Sequence, residues 1–263
     1  MVTRHEPPAQ FLPPGGSVLT DSLIELAGTA DDDSAVVALL ATIAQLSADL
    51  LDPVAFASVT RQHESRYSTV AMSSALALAV DEAQYADNAG PCLDTLDGGA
   101  PTSVPRIDAT ISWPGFRDTA YTLGLRSSLS VPLLAGRGEP AASLNLYGHD
   151  PATMAPLSAA VLAAYDDAPG NGPGNRPGDA PGSAPEGRPP RSEEDLCPGA
   201  RQLIAGLVGA FAVRDTIQQA IGMIIVARQT NAYLAYALLR SHAAATTGSL
   251  FDAATTIIAG DHR

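Results

Sequence analysis

From Ala35 the apolar residues of AVVALLATIAQLSADL recur every three or four positions through Ile43, Leu46 and Leu50, the period of an amphipathic helix. Asp33 or Ser34 stands where its N-cap belongs, and Asp52-Pro53 ends it. An earlier apolar run, residues 23–27, follows Thr20-Asp21-Ser22. The pattern then changes. Residues 54–59 and 68–72 read as strands of a hairpin around 62–67, and 76–85 reads as a short helix. At 128–133 the period is two, with Leu129, Val131 and Leu133 on one face. Pro132 within that strand predicts an edge position or a bulge. A strand at 142–147 follows a Gly136-Arg137-Gly138 turn, and 157–165 reads as a helix. Helix, strands, helix, strands, helix predicts one α+β domain over residues 20–167.

Residues 1–19 are rich in Pro and Gly, and read as a disordered tail. From 168 to 191 Pro and Gly punctuate a stretch without a large apolar residue, so 168–195 is predicted to be a linker. Residues 196–263 then form a second unit. Cys197-Pro198-Gly199 opens a helix over 200–228. Its Leu203, Leu207, Ala210, Phe211, Ile217, Ala220, Ile221 and Ile224 form a seam able to pair with another helix. Gly222 in mid-helix costs about 1 kcal/mol relative to Ala, which predicts close backbone packing there. Asn231 caps a second helix, which packs through Tyr236 and Leu239. Gly248-Ser249 starts a third, where Phe251, Ala254, Ile257 and Ile258 close a small core.

A chain of 263 residues with 46% hydrophobic content supports one or two folded domains. No uninterrupted apolar run approaches the roughly 18 residues of a membrane span, and MVTRHEPPAQFLPPGG has no apolar signal region. No membrane association and a cytoplasmic location are therefore expected. Cys92 and Cys197 allow no disulfide framework, and no CxxC or His/Cys cluster suggests zinc. His63, Glu64 and His149 form no triad. With no GxSxG, HExxH, P-loop or GxGxxG, an enzyme is not expected. The net charge is −13 and unevenly spread. Residues 1–167 carry 7 Arg against 20 acids, whereas 196–263 carry 5 Arg against 3 acids. Only the C-terminal unit lacks a repulsive field towards phosphate.

Residues 214–260 carry a more specific pattern: Arg214 and Ile217, Gln219-Ala220-Ile221-Gly222, an aliphatic run 223–226, then AYALLRS from Ala235 and Leu250, Ala253, Ala254, Ile257, Ile258. This resembles the ANTAR family, a three-helix module that binds hairpins in nascent RNA and prevents transcription termination. The resemblance implies a homodimer engaging a dual RNA hairpin, and not DNA. It points to Arg214, Arg228 and Arg240 as phosphate contacts and to Gln218 as a hydrogen-bonding neighbour. Tyr236 either stacks on an unpaired base or belongs to the core.

Upstream, Gln84-Tyr85, Gly90-Pro91-Cys92-Leu93-Asp94, Trp113-Pro114-Gly115-Phe116, LGLRSSLSVPL from Leu123 and Leu144-Asn145-Leu146-Tyr147 resemble a GAF domain over residues 30–165. The implied architecture is an α+β GAF domain, an antiparallel sheet usually of six strands flanked by helices. A Pro/Gly-rich linker joins it to an all-α three-helix ANTAR domain. GAF domains bind a small ligand in some members; its identity here is unknown. Cys92, Trp113, Arg126 and Asn145 are the candidate ligand contacts. Cys92 at a helix start is either a low-pKa redox thiol or an inert buried one. Trp113 lines a pocket or covers the sheet. Arg126 binds an anion or pairs with Asp108 or Asp118.

Two functions follow. One is a transcription antitermination regulator whose GAF domain senses a small ligand or redox signal. The alternative is a GAF-based ligand-binding or dimerisation protein whose helical tail contacts proteins.

Overall fold

The computed structural model describes residues 17–32, 34–64, 66–168, 196–246 and 248–260. The proline-rich start and residues 169–195 lie outside the described residues, and with them most of the expected tail and linker. One helix, α1 (Val18–Ala27), begins inside the stretch assigned to the tail.

Among the described residues five strands form one antiparallel sheet, one fewer than the resemblance implies. They are β1 (Phe56–His63), β2 (Arg66–Met72), β3 (Thr102–Val104), β4 (Ser127–Ala135) and β5 (Glu139–Gly148), ordered β2-β1-β5-β4-β3. Register gives the sheet two unlike faces. Val59 pairs with Leu144, which pairs with Val131; one residue along, Ser58 pairs with Asn145, which pairs with Ser130. Because successive side chains point to opposite faces, the first row is apolar and the second polar. Pro132 fits at the end of the β3 pairing. β3 runs along β4 only to Ser130, and the β4–β5 register shifts between Leu133 and Leu134.

The apolar face packs under α1, α2 (Ala35–Leu50), α6 (Pro151–Asp166) and the first half of α7 (Pro198–Arg228). Leu40, Ile43, Leu129, Leu144, Leu157 and Leu203 meet there, fully or almost fully buried. The polar face lies under α3 (Ala75–Asp87) and α4 (Pro91–Gly98), with α5 (Pro114–Thr122) outside α3. Ala77, Val80, Phe116 and Ala120 form a smaller core between these helices.

α7 joins two cores. Leu203, Leu207 and Phe211 enter the sheet's core, where Phe211 meets the Tyr165 ring edge-on at 5.9 Å. Ile217, Ala220, Ile221 and Ile224 enter a second core with α8 (Ala232–Ala245) and α9 (Leu250–Ile258). The seam that the sequence offers to another helix is therefore filled within this chain. Close packing falls at Gly206, where a Cβ would lie 3.0 Å from Leu23 Cβ and 3.2 Å from Thr20 Cα of α1. At Gly222 nothing among the described residues lies within 4 Å of that position, so the close contact expected there is not found among them. The Thr20 hydroxyl donates to the Gln202 carbonyl at 2.9 Å, fastening α1 along α7.

Helix starts follow local chemistry. Asn231 accepts from the Leu234 amide at 2.9 Å, and Ser249 with Asp252 forms a reciprocal capping box. Cys197 Sγ accepts from the Ala200 amide at 3.3 Å. Among the described residues α7 alone has the length and apolar content of a membrane-spanning helix. Leu203, Leu207, Phe211, Ile217 and Ile221 on it are buried inside the protein.

Candidate functional site

Two constellations carry polar chemistry, one on the sheet and one on α7 and α8. On the sheet, Asp81 of α3 is fully buried. It accepts hydrogen bonds from Tyr147 Oη at 2.6 Å, Thr69 Oγ1 at 2.8 Å and Asn145 Nδ2 at 3.3 Å. Asn145 binds the row together: its Nδ2 also donates to Thr60 Oγ1 at 2.9 Å, and its Oδ1 accepts from Ser143 at 2.9 Å and Ser130 at 3.1 Å. Tyr85 Oη lies 2.8 Å from both Thr60 and Thr69 hydroxyls. No Arg or His is among Asp81's partners. Burial pushes its carboxyl up to about 6, against hydrogen bonds led by Tyr147 that favour the anion. Ser128 Oγ, on the same polar face, is buried without a hydrogen-bond partner among the described residues.

Chemically this cluster can hold a proton on Asp81, whose partners Asn145 and Tyr147 are, like Thr60, fully buried and bonded within the cluster. It is a poor nucleophilic site. Cys92 is fully buried and its thiol is pushed up, first by burial and then by the Asp81 charge. Of the two readings of Cys92, this fits the inert buried thiol and not the low-pKa redox thiol. Its amide donates to Gln84 Oε1 at 3.0 Å, and Gln84 Nε2 donates to Tyr147 Oη at 3.3 Å, so Cys92 joins the cluster through Gln84.

Of the four candidate ligand contacts, Asn145 and Cys92 thus come together, while Trp113 and Arg126 make no hydrogen bond in this cluster. Trp113 is half-buried and edge-on to Phe116 at 6.4 Å. The Arg126 guanidinium covers the Tyr121 ring at 4.0 Å and donates to the Tyr121 and Leu125 carbonyls. Asp108 and Asp118 pair instead with Arg106 at 2.6 Å and Arg117 at 2.8 Å. Sequence reasoning missed Asp81, Thr60, Thr69 and the Tyr147 hydroxyl. A signal existed: Ala77, Val80, Asp81 and Gln84 share one helical stripe, which puts two polar residues on an otherwise apolar face.

On the C-terminal helices, Tyr236 is buried, as its core reading requires. Its hydroxyl donates to Asp31 Oδ1 at 2.8 Å, and burial first, then that bond, raises its pKa. Arg137 and Arg240 lie over its ring at 5.7 and 5.8 Å. Arg240 Nη2 donates to Asp32 Oδ2 at 2.5 Å. Gln218 Nε2 donates to the Arg137 carbonyl. Arg214 pairs with Asp215 at 3.1 Å and packs against Gly138. Arg228 is exposed and has no hydrogen-bond or ion-pair partner among the described residues. It lines an open groove of about 680 Å³ with Met223, Leu238 and His242. The structure therefore gathers Arg214, Gln218, Tyr236 and Arg240 against the α1–α2 loop and the β4–β5 turn, and leaves Arg228 on another side.

No family model, curated protein or solved structure matches the chain.

Proposed function

We propose that the chain is a cytoplasmic transcription antitermination regulator. In this reading its sheet domain senses a small ligand, and the α7–α9 unit binds RNA hairpins as a homodimer. The observation that carries the reading is the chemistry of Tyr236 and Arg240, which already hold two carboxylate oxygens. Phosphate offers the same acceptor to the same donors. The resemblance of residues 214–260 supplies RNA as the bearer of that phosphate. The burial and raised pKa of Cys92 favour a bound ligand over a redox signal on the sheet domain.

The test is a filter-binding titration of the full chain against a dual-hairpin leader RNA at low and moderate salt. Affinity should fall steeply with salt, by about 0.7–0.9 in log–log slope per phosphate contact. Arg228→Ala should weaken binding and flatten the slope by roughly one contact. Salt-independent binding, or none, would refute the RNA reading.

One observation favours a second reading, a tail that contacts proteins. Val226, Tyr233, Leu234 and Leu238 are large, apolar and exposed. Capture of a specific protein together with absent RNA binding would select it.

A further inference from the structure

We propose that the α1–α2 loop is an internal mask for the phosphate-binding face of α8, so that the described conformation is a self-inhibited one. The inference rests on the RNA reading above. Its basis is that two consecutive carboxylates, Asp31 and Asp32, take the donors of two residues one helical turn apart, Tyr236 and Arg240. Besides its contacts with α8, the loop is seated from two sides. The Gly136 amide of the β4–β5 turn donates to the Thr29 carbonyl at 2.8 Å. The Leu250 amide at the start of α9 donates to the Gly28 carbonyl at 3.0 Å. From the same β4–β5 turn, the Arg137 carbonyl takes the Gln218 amide, and Gly138 abuts Arg214.

The seat is specific. Gly136 has φ 60°, and a Cβ there would lie 2.8 Å from Tyr236 Oη and 2.9 Å from Asp31 Cβ. A side chain at 136 would push the turn away from both residues. Four of the five side chains proposed to meet RNA are thereby engaged by the sheet domain's loops, three through hydrogen bonds and Arg214 through packing on Gly138. Arg228 stands apart on its own groove.

The mask is also displaceable. The Arg240–Asp32 pair is open to solvent on both sides, with side-chain exposures of 40% and 57%, so competing phosphate and salt reach it. An open cleft of about 790 Å³, lined by Asp32, Ser34, Ala237, Arg240 and Ser249, already separates the loop from part of α8 and α9. A polyanion entering there would exchange one anionic partner for another without leaving a guanidinium unpaired. Because α1 and β4–β5 belong to the sheet domain, any ligand that shifts them would change how much of the α8 face is free.

The experiment compares full-length wild type with Asp31→Asn/Asp32→Asn and with a charge-matched control, Asp49→Asn/Asp52→Asn, both exposed positions on α2 and just beyond it. Each is titrated with the dual-hairpin RNA and with inorganic polyphosphate. The loop variant should bind RNA roughly tenfold tighter than wild type and control, as expected when a closed state is removed from the equilibrium. Asp32→Asn alone, which releases Arg240 and keeps the Asp31–Tyr236 bond, should give a smaller tightening and covers the case in which the double variant misfolds. Equal RNA affinity in all proteins overturns the mask and leaves the RNA reading standing. Tightening for polyphosphate alone keeps the mask and removes RNA as its ligand. No binding of either polyanion by any variant overturns both.

Discussion

Tyr236 donates its hydroxyl hydrogen to Asp31 across 205 positions of sequence, at 2.8 Å. The bond joins the loop between the first two helices to a helix near the end of the chain. It sits beside the core where α7 passes from the sheet domain to the three-helix unit. α7 is continuous across that passage, from Pro198 to Arg228. Sheet domain and tail are therefore linked twice, through one rigid helix and through a polar clasp. Both links lie within the described residues.

The buried carboxyl of Asp81 makes stability depend on pH. Its folded value, about 6, lies above the ordinary 3.8, so the folded chain holds the proton more tightly than the unfolded chain. Stability contributed by the protonated form is present at low pH and is lost as pH rises through about 4 to 6. Asp81→Asn retains an oxygen for Tyr147 and Asn145 and carries no charge. Thermal melts between pH 4.5 and 8 should show the variant gaining on wild type by on the order of 2 kcal/mol as pH rises. Parallel curves would mean that Asp81 is solvated or compensated.

Cysteine labelling distinguishes the two thiols. Cys197 is half-exposed at the start of α7, whereas Cys92 is fully buried with its thiol held protonated. Iodoacetamide at pH 8 on the native protein should modify Cys197 and spare Cys92, and both should react in denaturant. Mass spectrometry of the peptides checks this. Prompt native modification of Cys92 would restore it as a redox candidate.

Two of the four glycines of α7 should respond in opposite directions to alanine. Gly206→Ala places a methyl against Leu23 and the α1 backbone, and should cost about 1–3 kcal/mol. Gly222→Ala adds a methyl in open space on a helix and should stabilise by up to ~1 kcal/mol. Denaturant midpoints at constant m-value measure both. Destabilisation by Gly222→Ala would indicate a partner surface at that position.

Asn231 is a local determinant of the tail. Its side chain satisfies the Leu234 amide at the start of α8, so Asn231→Ala should cost about 1 kcal/mol, and Asn231→Asp should retain most of the stability. Far-UV melting of the three proteins makes the comparison.

Much of this architecture was legible in local pattern. The period of three and four predicted α2 and α7, and the period of two predicted β4. Asn231 and Ser249 marked helix starts because a cap acts within three residues of itself. Pro132 announced the register irregularity that follows it in β4 for the same local reason. Less visible were short elements such as β3, whose three residues carry too few side chains to show a period.

What the sequence by itself determined is the longer helices and strands, the alternation that puts Leu129, Val131 and Leu133 on one face of β4, and a charge distribution that leaves only the last unit able to approach phosphate. Only the tertiary structure decided which partners those elements chose. An apolar seam such as Leu203-Leu207-Phe211 is satisfied equally by another chain or by its own, and the choice of α1 and the sheet's core depended on Gly206 letting α1 come close. The polar cluster around Asp81 drew residues from α3, β1, β2 and β5, and the Asp31–Tyr236 clasp drew its two ends from opposite parts of the chain. Periodicity and capping are short-range effects written into neighbouring residues, whereas such contacts exist only once the sheet has closed and loop entropy has already been overcome.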